Sequence, residues 1–272
     1  MGTKSYNCAF AAESKTLGAG RVTRVARPPQ GCNFQVYQIR TSQGCFIRKT
    51  GDTDAKIAGL EREAVLLSSI GPSYYPFVPT FAGRIGRAFY FCYLPGTDGA
   101  TAWGRADRHK REEYAVQFGA ALRCVHGWTP PLPYPATDWL SDAVQHCTAH
   151  AMNASAAIED TNSIFNNWNT DAVAAELEAD CQKWQTKLAW SHGDWCLPNV
   201  LFQNGTVSGV IDWSDGEWKD KRYDLATGVW TIRRNSPQDP AVPCYHAAFL
   251  RGYGFDGEVQ DLRFFEALYT LL

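Results

Sequence analysis

The stretch Ser191–Asn199 reads SHGDWCLPN, and a tripeptide IDW centred on Asp212 follows it. Asp194 and Asn199 share one loop. The intervening Asn204-Gly205 dipeptide is typical of a tight β-hairpin turn, so we expect the hairpin to deliver Asp212 at its far end. Two carboxylates and a carboxamide in this arrangement predict an all-oxygen Mg²⁺ site with one carboxylate left as a base. Phosphoryl transfer requires these groups, because the metal spans the phosphates and the base orients the acceptor hydroxyl.

Further motifs occur in a fixed order around this stretch. HGDxxxxN stands at 192–199, NGTVSGVID at 204–212 and DKRYDLA at 220–226, with LRCVH at 122–126 and FLRGYGF at 249–255. This ordered set resembles the aminoglycoside phosphotransferase and choline-kinase-like superfamily, a distant relative of the protein kinases. The closer similarity is to aminoglycoside 3'-phosphotransferases. It covers most of the C-terminal half well and the N-terminal half only in pattern.

The resemblance implies roles for the residues of these motifs. Asp194 would be the catalytic aspartate, and Asn199 and Asp212 would coordinate Mg²⁺. His192 is interpreted as a hydrogen-bonded core histidine that braces the loop rather than as a proton shuttle. Asp224 is expected to brace the same loop from a helix.

A kinase-like fold also requires a strand lysine for the nucleotide phosphates and a helix glutamate that holds it. Lys49 ends the predicted strand CFIRK, and Glu63 lies on the next predicted helix, 14 residues later. Arg48 and Glu61 are the competing residues, although strand alternation places Arg48 on the face opposite Lys49. Glu61 lies on a different helix face from Glu63. The resemblance favours Lys49 with Glu63, and a surface ion pair is the alternative interpretation.

The nucleotide is predicted to be ATP, with GTP as the alternative. A phosphate-covering loop is expected near 28–34, where Gly31 is the one glycine and Asn33 offers a backbone N–H group. The adenine is expected against a hinge, bound by backbone groups of Tyr93 and Leu94. Some relatives stack an aromatic residue on the adenine two residues before the lysine, and this chain has Ile47 there.

The acceptor is predicted to be a small cationic molecule bound by acids of the C-terminal half. Glu159 and Asp160 fall where the resemblance places an acidic loop. Family members often have two acids just before their last two apolar residues, but this chain has Tyr269-Thr270 there. Glu266 and the terminal carboxylate of Leu272 are predicted to substitute in part for that missing pair.

The charge of the chain is divided between its two parts. Residues 1–94 contain 12 Lys and Arg against 5 Asp and Glu, and residues 95–272 contain 14 against 23. Residues 124–182 contain eight acids and no Lys or Arg. A basic part beside an acidic part suits an enzyme that binds polyphosphate and a cation. Solvated helix faces are the alternative reading for most single acids.

Other features limit the function classes. No basic patch interleaved with aromatic residues indicates nucleic-acid binding, and no apolar run is long enough for a membrane helix or signal peptide. Nine scattered cysteines without a CxxC pair indicate reduced thiols. A cytoplasmic protein, either a monomer or a weak homodimer, is expected.

Periodicity predicts a sheet with one helix, followed by a mainly helical region. Strands are predicted at 35–40, 45–49 and 88–94, with a helix over 54–70 that Gly71-Pro72 should end. Further helices are predicted at about 108–126, 138–152, 171–186, 221–234, 241–253 and 257–271, interrupted by a strand pair at 200–203 and 207–211.

The combined prediction is an α+β, bilobal protein-kinase-like fold. Residues 1–94 would form a small β-rich nucleotide-binding lobe with one helix, and residues 95–272 a larger, mainly helical catalytic and acceptor-binding lobe. The predicted reaction transfers the γ-phosphoryl group of ATP to an aminoglycoside hydroxyl, the 3'-hydroxyl being favoured, which would confer antibiotic resistance. The alternatives are a kinase of another small acceptor, such as a different antibiotic, an amino alcohol or a sugar, and a non-catalytic nucleotide-binding regulator.

Overall fold

The computed structural model describes residues 3–28, 34–74, 76–133, 138–153 and 163–271. The chain forms two compact units. The first consists of Met1–Gly96 with Ser208–Asp215, and the second of Thr97–Val207 with Gly216–Leu272. Among the described residues, no helix combines the length and the apolar character that are needed to cross a bilayer.

The first unit is built on a five-stranded antiparallel sheet with strand order β1-β2-β3-β5-β4. Its elements are α1 (Thr3–Thr16), β1 (Val22–Ala26), β2 (Gln35–Thr41), β3 (Cys45–Thr50), α2 (Asp54–Tyr74), β4 (Phe81–Ile85) and β5 (Ala88–Cys92). Strands β2 and β3 pair antiparallel, with Gln38 opposite Ile47. This sheet confirms the β-rich N-terminal region.

Helix α1 adds a second helix to this unit, where the sequence predicted only one. Its Phe10 is buried in a cluster with Ile39, Ala88 and Tyr90. The helix carries few large apolar residues, so its own pattern is weak and its contacts with the sheet hold it in place.

Helix α2 does not end at Gly71-Pro72 as predicted, but continues to Tyr74. A proline in a helix removes the hydrogen bond to the carbonyl four residues earlier, here that of Ser68, and this local loss does not forbid one further turn. The turn is closed by the Tyr74 carbonyl, which accepts from Phe77 N at 2.8 Å.

The second unit is mainly helical. Its helices are α3 (Gly99–Arg105), α4 (Arg108–His126), α5 (Trp139–Asn153), α6 (Thr170–Cys181), α7 (Lys221–Arg234), α8 (Val242–Tyr253) and α9 (Arg263–Leu271). Helices α4 and α8 pack so closely that a Cβ atom at Gly119 would collide with the Phe249 carbonyl. Such close packing fixes the position of both helices in the unit.

Two predicted helices in this unit are wrong at their ends. The predicted helix over 171–186 stops at Cys181, because the chain that follows forms β7 (Leu188–Ser191), which pairs antiparallel with β10 (Glu217–Asp220). The final predicted helix is divided, because Glu258 N donates to Asp261 Oδ2 at 2.8 Å and starts a short 3-10 turn before α9.

A second short sheet adjoins the loop at 191–199, which is the predicted catalytic loop. Strand β6 (Thr97–Asp98) pairs antiparallel with β8 (Val200–Gln203), which directly follows a 3-10 turn at Leu197–Asn199. Asn204 and Gly205 both have positive φ, at 53° and 85°, as the tight Asn-Gly turn into β9 (Thr206–Val210) requires. The predicted hairpin turn is therefore present.

Candidate functional site

A buried ionic cluster in the first unit joins residues far apart in sequence. Lys49 Nζ lies 2.9 Å from both carboxylate oxygens of Glu63 and 3.0 Å from Asp212 Oδ1. Lys49 ends β3 and Glu63 lies on α2, so the sheet and the helix packed on it supply one member each. The predicted Lys49–Glu63 pair is present, and Asp212 extends it.

Arg48 and Glu61, the two competing residues, form ion pairs outside this cluster. Arg48 bonds the carboxylate of Glu13 on α1 at 2.8 and 3.0 Å, on the other face of β3. Glu61 pairs with Arg84 at the exposed surface, at 2.6 Å. Strand alternation and helix facing thus separate these two charges from the Lys49 cluster.

Asp212 occupies a conformation that costs backbone energy. Its φ of 66° lies in the left-handed region, which non-glycine residues enter at a cost of order 1–3 kcal/mol. The adjacent Trp213 N–H donates to Glu63 Oε1 at 3.3 Å, and the Trp213 indole donates to the Val210 carbonyl at 3.0 Å. The Asp212 side chain is 36% exposed, against 2% for Glu63. Asp212 is therefore the member of the cluster that is most exposed to solvent.

The cluster holds two carboxylates around one ammonium group. Burial alone would lower the pKa of Lys49, but the charges of Asp212 and Glu63 outweigh it and raise that pKa. Burial raises the pKa of Glu63, and the neighbouring Asp212 charge adds to that rise, against the attraction of Lys49. A surplus of one negative charge suits a site that is completed by a cation.

In the second unit, a buried carboxylate braces the SHGDWCLPN loop. Asp224, near the start of α7, accepts from His192 N at 2.7 Å and from Gly193 N at 2.9 Å. His126 on α4 contacts the same carboxylate at 3.2 Å. Gly193 has φ 84°, which glycine adopts without strain and which the sharp turn requires. The predicted bracing role of Asp224 is confirmed, and the contribution of His126 was missed.

His192 also belongs to this brace. Its side chain is fully buried, its Nδ1 accepts from Asp194 N at 3.3 Å, and its ring contacts the Trp195 ring edge-on. These contacts confirm a core histidine that supports the loop. LRCVH at 122–126, already part of the motif set, was the signal that could have identified His126.

Asp194 and Asn199 are brought together by the loop. The Asn199 amide nitrogen donates to Asp194 Oδ2 at 2.8 Å and to the Asp194 carbonyl at 3.0 Å. Because the amide nitrogen faces Asp194, the Asn199 side-chain oxygen points away from that carboxylate. Asp194 itself is half-buried.

Tyr269 on α9 also reaches this loop, which the sequence did not predict. Its hydroxyl donates to Asp194 Oδ1 at 3.3 Å. The resemblance marked this position only as a departure from an expected acidic residue.

The remaining predicted residues are placed as follows. The Tyr93 N–H donates to the Cys45 carbonyl at 2.9 Å, so this group belongs to the sheet, and Leu94 is buried. Glu266 is buried and accepts two bonds from Arg233, at 2.7 and 3.1 Å. Five predicted residues lie outside the described part of the chain: Gly31, Asn33, Glu159, Asp160 and Leu272.

Known proteins resemble this chain over most of its length. A model described as the phosphotransferase enzyme family (APH) matches residues 24–266. The curated aminoglycoside 3'-phosphotransferase of Niallia circulans is 32% identical over 180 residues, and the matched part spans only 60% of that relative. The crystal structure of an aminoglycoside-3'-phosphotransferase of type VIII superposes with a TM-score of 0.68 at 25% identity, covering 98% of this chain and 99% of that one. An aminoglycoside phosphotransferase from Streptomyces rimosus, at 18% identity, shares the fold with a TM-score of 0.70 and 98% coverage of both chains. These likenesses confirm the predicted fold class.

Proposed function

Because the chain belongs to the phosphotransferase enzyme family, we propose that it transfers the γ-phosphoryl group of ATP to a hydroxyl of an aminoglycoside, with the 3'-hydroxyl favoured. Such an activity would confer resistance to the antibiotic. In this reaction the acceptor oxygen bonds to the γ-phosphorus, the bond from that phosphorus to the β,γ-bridging oxygen breaks, and ADP leaves. The acceptor proton passes to a carboxylate of the enzyme.

The Lys49–Glu63–Asp212 cluster is the observation that carries this proposal. Glu63 is almost fully buried and holds Lys49 through both carboxylate oxygens, so the ammonium group is fixed at the end of β3. A fixed ammonium group is suited to the α- and β-phosphates, because it stabilises charge without having to reorganise. The strained and accessible Asp212 beside it is suited to a metal that neutralises the same phosphates.

The metal in this proposal is Mg²⁺, with Asn199 and Asp212 as its protein ligands. Amide and carboxylate oxygens are the hard donors that Mg²⁺ takes, usually one or two per site, with the rest supplied by water and phosphate. The Mg²⁺ would supply charge neutralisation on the phosphates.

The proposed base is Asp194. Asn199 holds one of its oxygens, and the loop around it is fixed by backbone bonds to Asp224. A base held in this way can orient the acceptor hydroxyl and take its proton as the phosphorus–oxygen bond forms. The adenine is assigned to the hinge after β5, where the Tyr93 carbonyl and Leu94 would bind it, because the Tyr93 N–H is already bonded to Cys45.

Two observations support an aminoglycoside as the acceptor. The Niallia circulans relative is an aminoglycoside 3'-phosphotransferase, and residues 124–182 contain eight acids that suit a cationic acceptor. A second candidate, a kinase of another small hydroxyl compound, is favoured by one contact. Tyr269, not an acid, lies against Asp194, so an acceptor with less positive charge would also suit the site. Glu266 is left out of the proposed acceptor site, because its carboxylate binds Arg233.

The test is ATP consumption by the purified protein with a panel of acceptors. Kanamycin B and its 3'-deoxy analogue form the central pair, with mass spectrometry of the product. Turnover of kanamycin B with a gain of one phosphate, and none of the 3'-deoxy analogue, would support both the reaction and the hydroxyl. Turnover of both compounds would contradict the 3'-position.

No turnover of any aminoglycoside by a protein that still binds ATP would contradict the proposed acceptor class. The panel is then extended to macrolides, amino alcohols and sugars, and turnover there would support the second candidate. ATP binding without turnover of any acceptor would favour a nucleotide-binding regulator.

A further inference from the structure

The Tyr269 hydroxyl has no part in the phosphoryl transfer proposed above, yet it contacts the proposed base. It donates to Asp194 Oδ1 at 3.3 Å, while Asp194 Oδ2 accepts from Asn199 at 2.8 Å. The two carboxylate oxygens therefore each have a donor from a different element. Burial and the Asp194 charge raise the pKa of Tyr269, so the phenol keeps the proton that it donates.

Two neighbouring rings fix the direction of this hydroxyl. The Tyr269 ring packs edge-on against Trp230, at 5.1 Å between ring centroids and 64° between planes. It meets Tyr223 in the same way, at 6.0 Å and 73°. Because Trp230 and Tyr223 both lie on α7, the helix that also carries Asp224, the phenol and the brace of the loop share one support.

The helix that carries Tyr269 is anchored by a buried ion pair. Glu266, three residues earlier on α9, accepts two bonds from Arg233 of α7, at 2.7 and 3.1 Å. The backbone N–H of Ile164 donates to the same carboxylate at 3.1 Å. Glu266, predicted from the sequence as an acceptor ligand, thus holds α9 in the position from which Tyr269 reaches Asp194.

We infer that Tyr269 is a positioning residue, whose hydroxyl holds Asp194 in the orientation that receives the acceptor hydroxyl. A carboxylate oxygen can accept more than one hydrogen bond, so Oδ1 can bind the phenol and take the acceptor proton as well. This inference rests on the proposed function, since it gives Tyr269 a role only in that reaction.

The first test compares Tyr269→Phe with Tyr245→Phe. Both variants remove a phenol hydroxyl that donates to an aspartate of the second unit, since Tyr245 donates to Asp239 at 3.1 Å. We expect kcat of Tyr269→Phe to fall about tenfold with the acceptor KM within about twofold, because the ring and the acceptor contacts remain while the base loses its orientation. Tyr245→Phe should keep kcat within about twofold of the wild type.

A loss of kcat that is equal in both variants would show a general packing effect and overturn the inference. So would an unchanged kcat in Tyr269→Phe, or a rise in KM alone. Thermal unfolding of both variants, read beside the kinetics, identifies any share of the loss that comes from unfolded protein.

A second test needs no turnover. In protein labelled with ¹³C at tyrosine Cζ, the Tyr269 resonance is assigned by its absence from Tyr269→Phe, and that of Tyr245 in the same way. Asp194→Ala should shift the Tyr269 resonance and leave the Tyr245 resonance in place. An unmoved Tyr269 resonance would overturn the inference whatever the kinetics. A shifted resonance in a protein that phosphorylates no acceptor would uphold the contact and contradict the proposed function alone.

Discussion

Glu63 in the first unit and Asp224 in the second are buried carboxylates that each contact a basic side chain. Their pKa values move in opposite directions. Burial raises the pKa of Glu63, and the nearby Asp212 charge strengthens that rise against Lys49. Burial would also raise the pKa of Asp224, but the hydrogen bond and charge of His126, with those of His192, outweigh it and lower that pKa.

The difference lies in what surrounds each charge. Asp224 accepts two backbone N–H groups of the loop, which are fixed dipoles that no second carboxylate shares. Glu63 shares one ammonium group with Asp212, so its charge is only partly compensated. The carboxylate of the second region is therefore fully compensated and supports a loop, whereas the repulsion between the carboxylates of the first region would be relieved by a bound cation.

The largest effect that we expect is a loss of kcat when Asp194, on the loop that Asp224 braces, is replaced. Asp194→Ala should lower kcat by about 10³-fold or more, because it removes the base and the group that orients the acceptor. ATP affinity should change by no more than about threefold, since the phosphates are assigned to the first unit. Steady-state kinetics and titration calorimetry with ATP measure the two effects.

Asp54→Ala is the control for that variant, because Asp54 lies at the start of α2 and pairs at the exposed surface with Arg87. Normal kinetics in the control and lost turnover in Asp194→Ala would support the assignment. Retained turnover in Asp194→Ala would contradict the mechanism.

The next largest effect that we expect is a loss of kcat/KM for ATP when Lys49 of the Lys49–Glu63–Asp212 cluster is replaced. Lys49→Met should lower kcat/KM for ATP by about 10²-fold, because the phosphates lose a fixed positive charge in a site that already carries two carboxylates. Arg48→Met is a matched control, since it removes the adjacent cation, whose partners are Glu13 and Tyr90. A similar loss of ATP affinity in both variants would show that the effect comes from the sheet and not from the cluster.

These two regions also differ in how far the sequence predicted them. The loop was predicted nearly completely, because Asp194, Asn199 and the turn into β9 are close in sequence and their spacing is specific. Lys49 and Glu63 were paired by the resemblance, and strand alternation and helix facing, which are local rules, separated them from Arg48 and Glu61.

The bond between Lys49 and Asp212 joins residues 163 positions apart, and no periodicity predicts it. The left-handed φ of Asp212 was not predicted either, since aspartate adopts it only where surrounding contacts impose it. Helix α1 was missed for a related reason: the contacts of Phe10 and Glu13 with the sheet determine its place, and its own apolar pattern is weak. Strands β7 and β10, of four residues each, are too short to give an alternation signal.

Stability separates the two carboxylates more directly than activity does. Asp224→Asn should lower the free energy of unfolding by about 3 kcal/mol, because the neutral amide cannot replace the charge-assisted bonds to two backbone N–H groups. Glu63→Gln should cost only about 1 kcal/mol, since Lys49 keeps Asp212 and the repulsion between carboxylates disappears. Urea unfolding at pH 7 measures both. Equal losses of unfolding free energy in the two variants would show that the charges of Asp224 and Glu63 are compensated to the same extent.

The pH dependence of unfolding gives the smallest and most specific test. The pKa of Asp224 is lowered in the folded protein, so its stabilisation is complete above the unfolded value of about 4 and is lost as pH falls below it. Asp224→Asn should therefore lose less stability than the wild type on acidification below about pH 4. The pKa of Glu63 is raised, so folding binds a proton there, and the wild type loses stability from this group as pH rises above about 4.3.

Glu63→Gln should accordingly flatten the profile on the alkaline side of about pH 4.3, and Asp224→Asn on the acid side of about pH 4. The two difference curves, each the wild type minus one variant, then slope in opposite directions. Because the titrating groups that do not interact with Glu63 or Asp224 are common to the three proteins, subtraction removes their contributions. Curves that slope in the same direction would mean that both carboxylates are fully compensated. Lys49 and Glu63 would then form an ordinary buried ion pair, and the cluster would not be a site suited to phosphates and a cation.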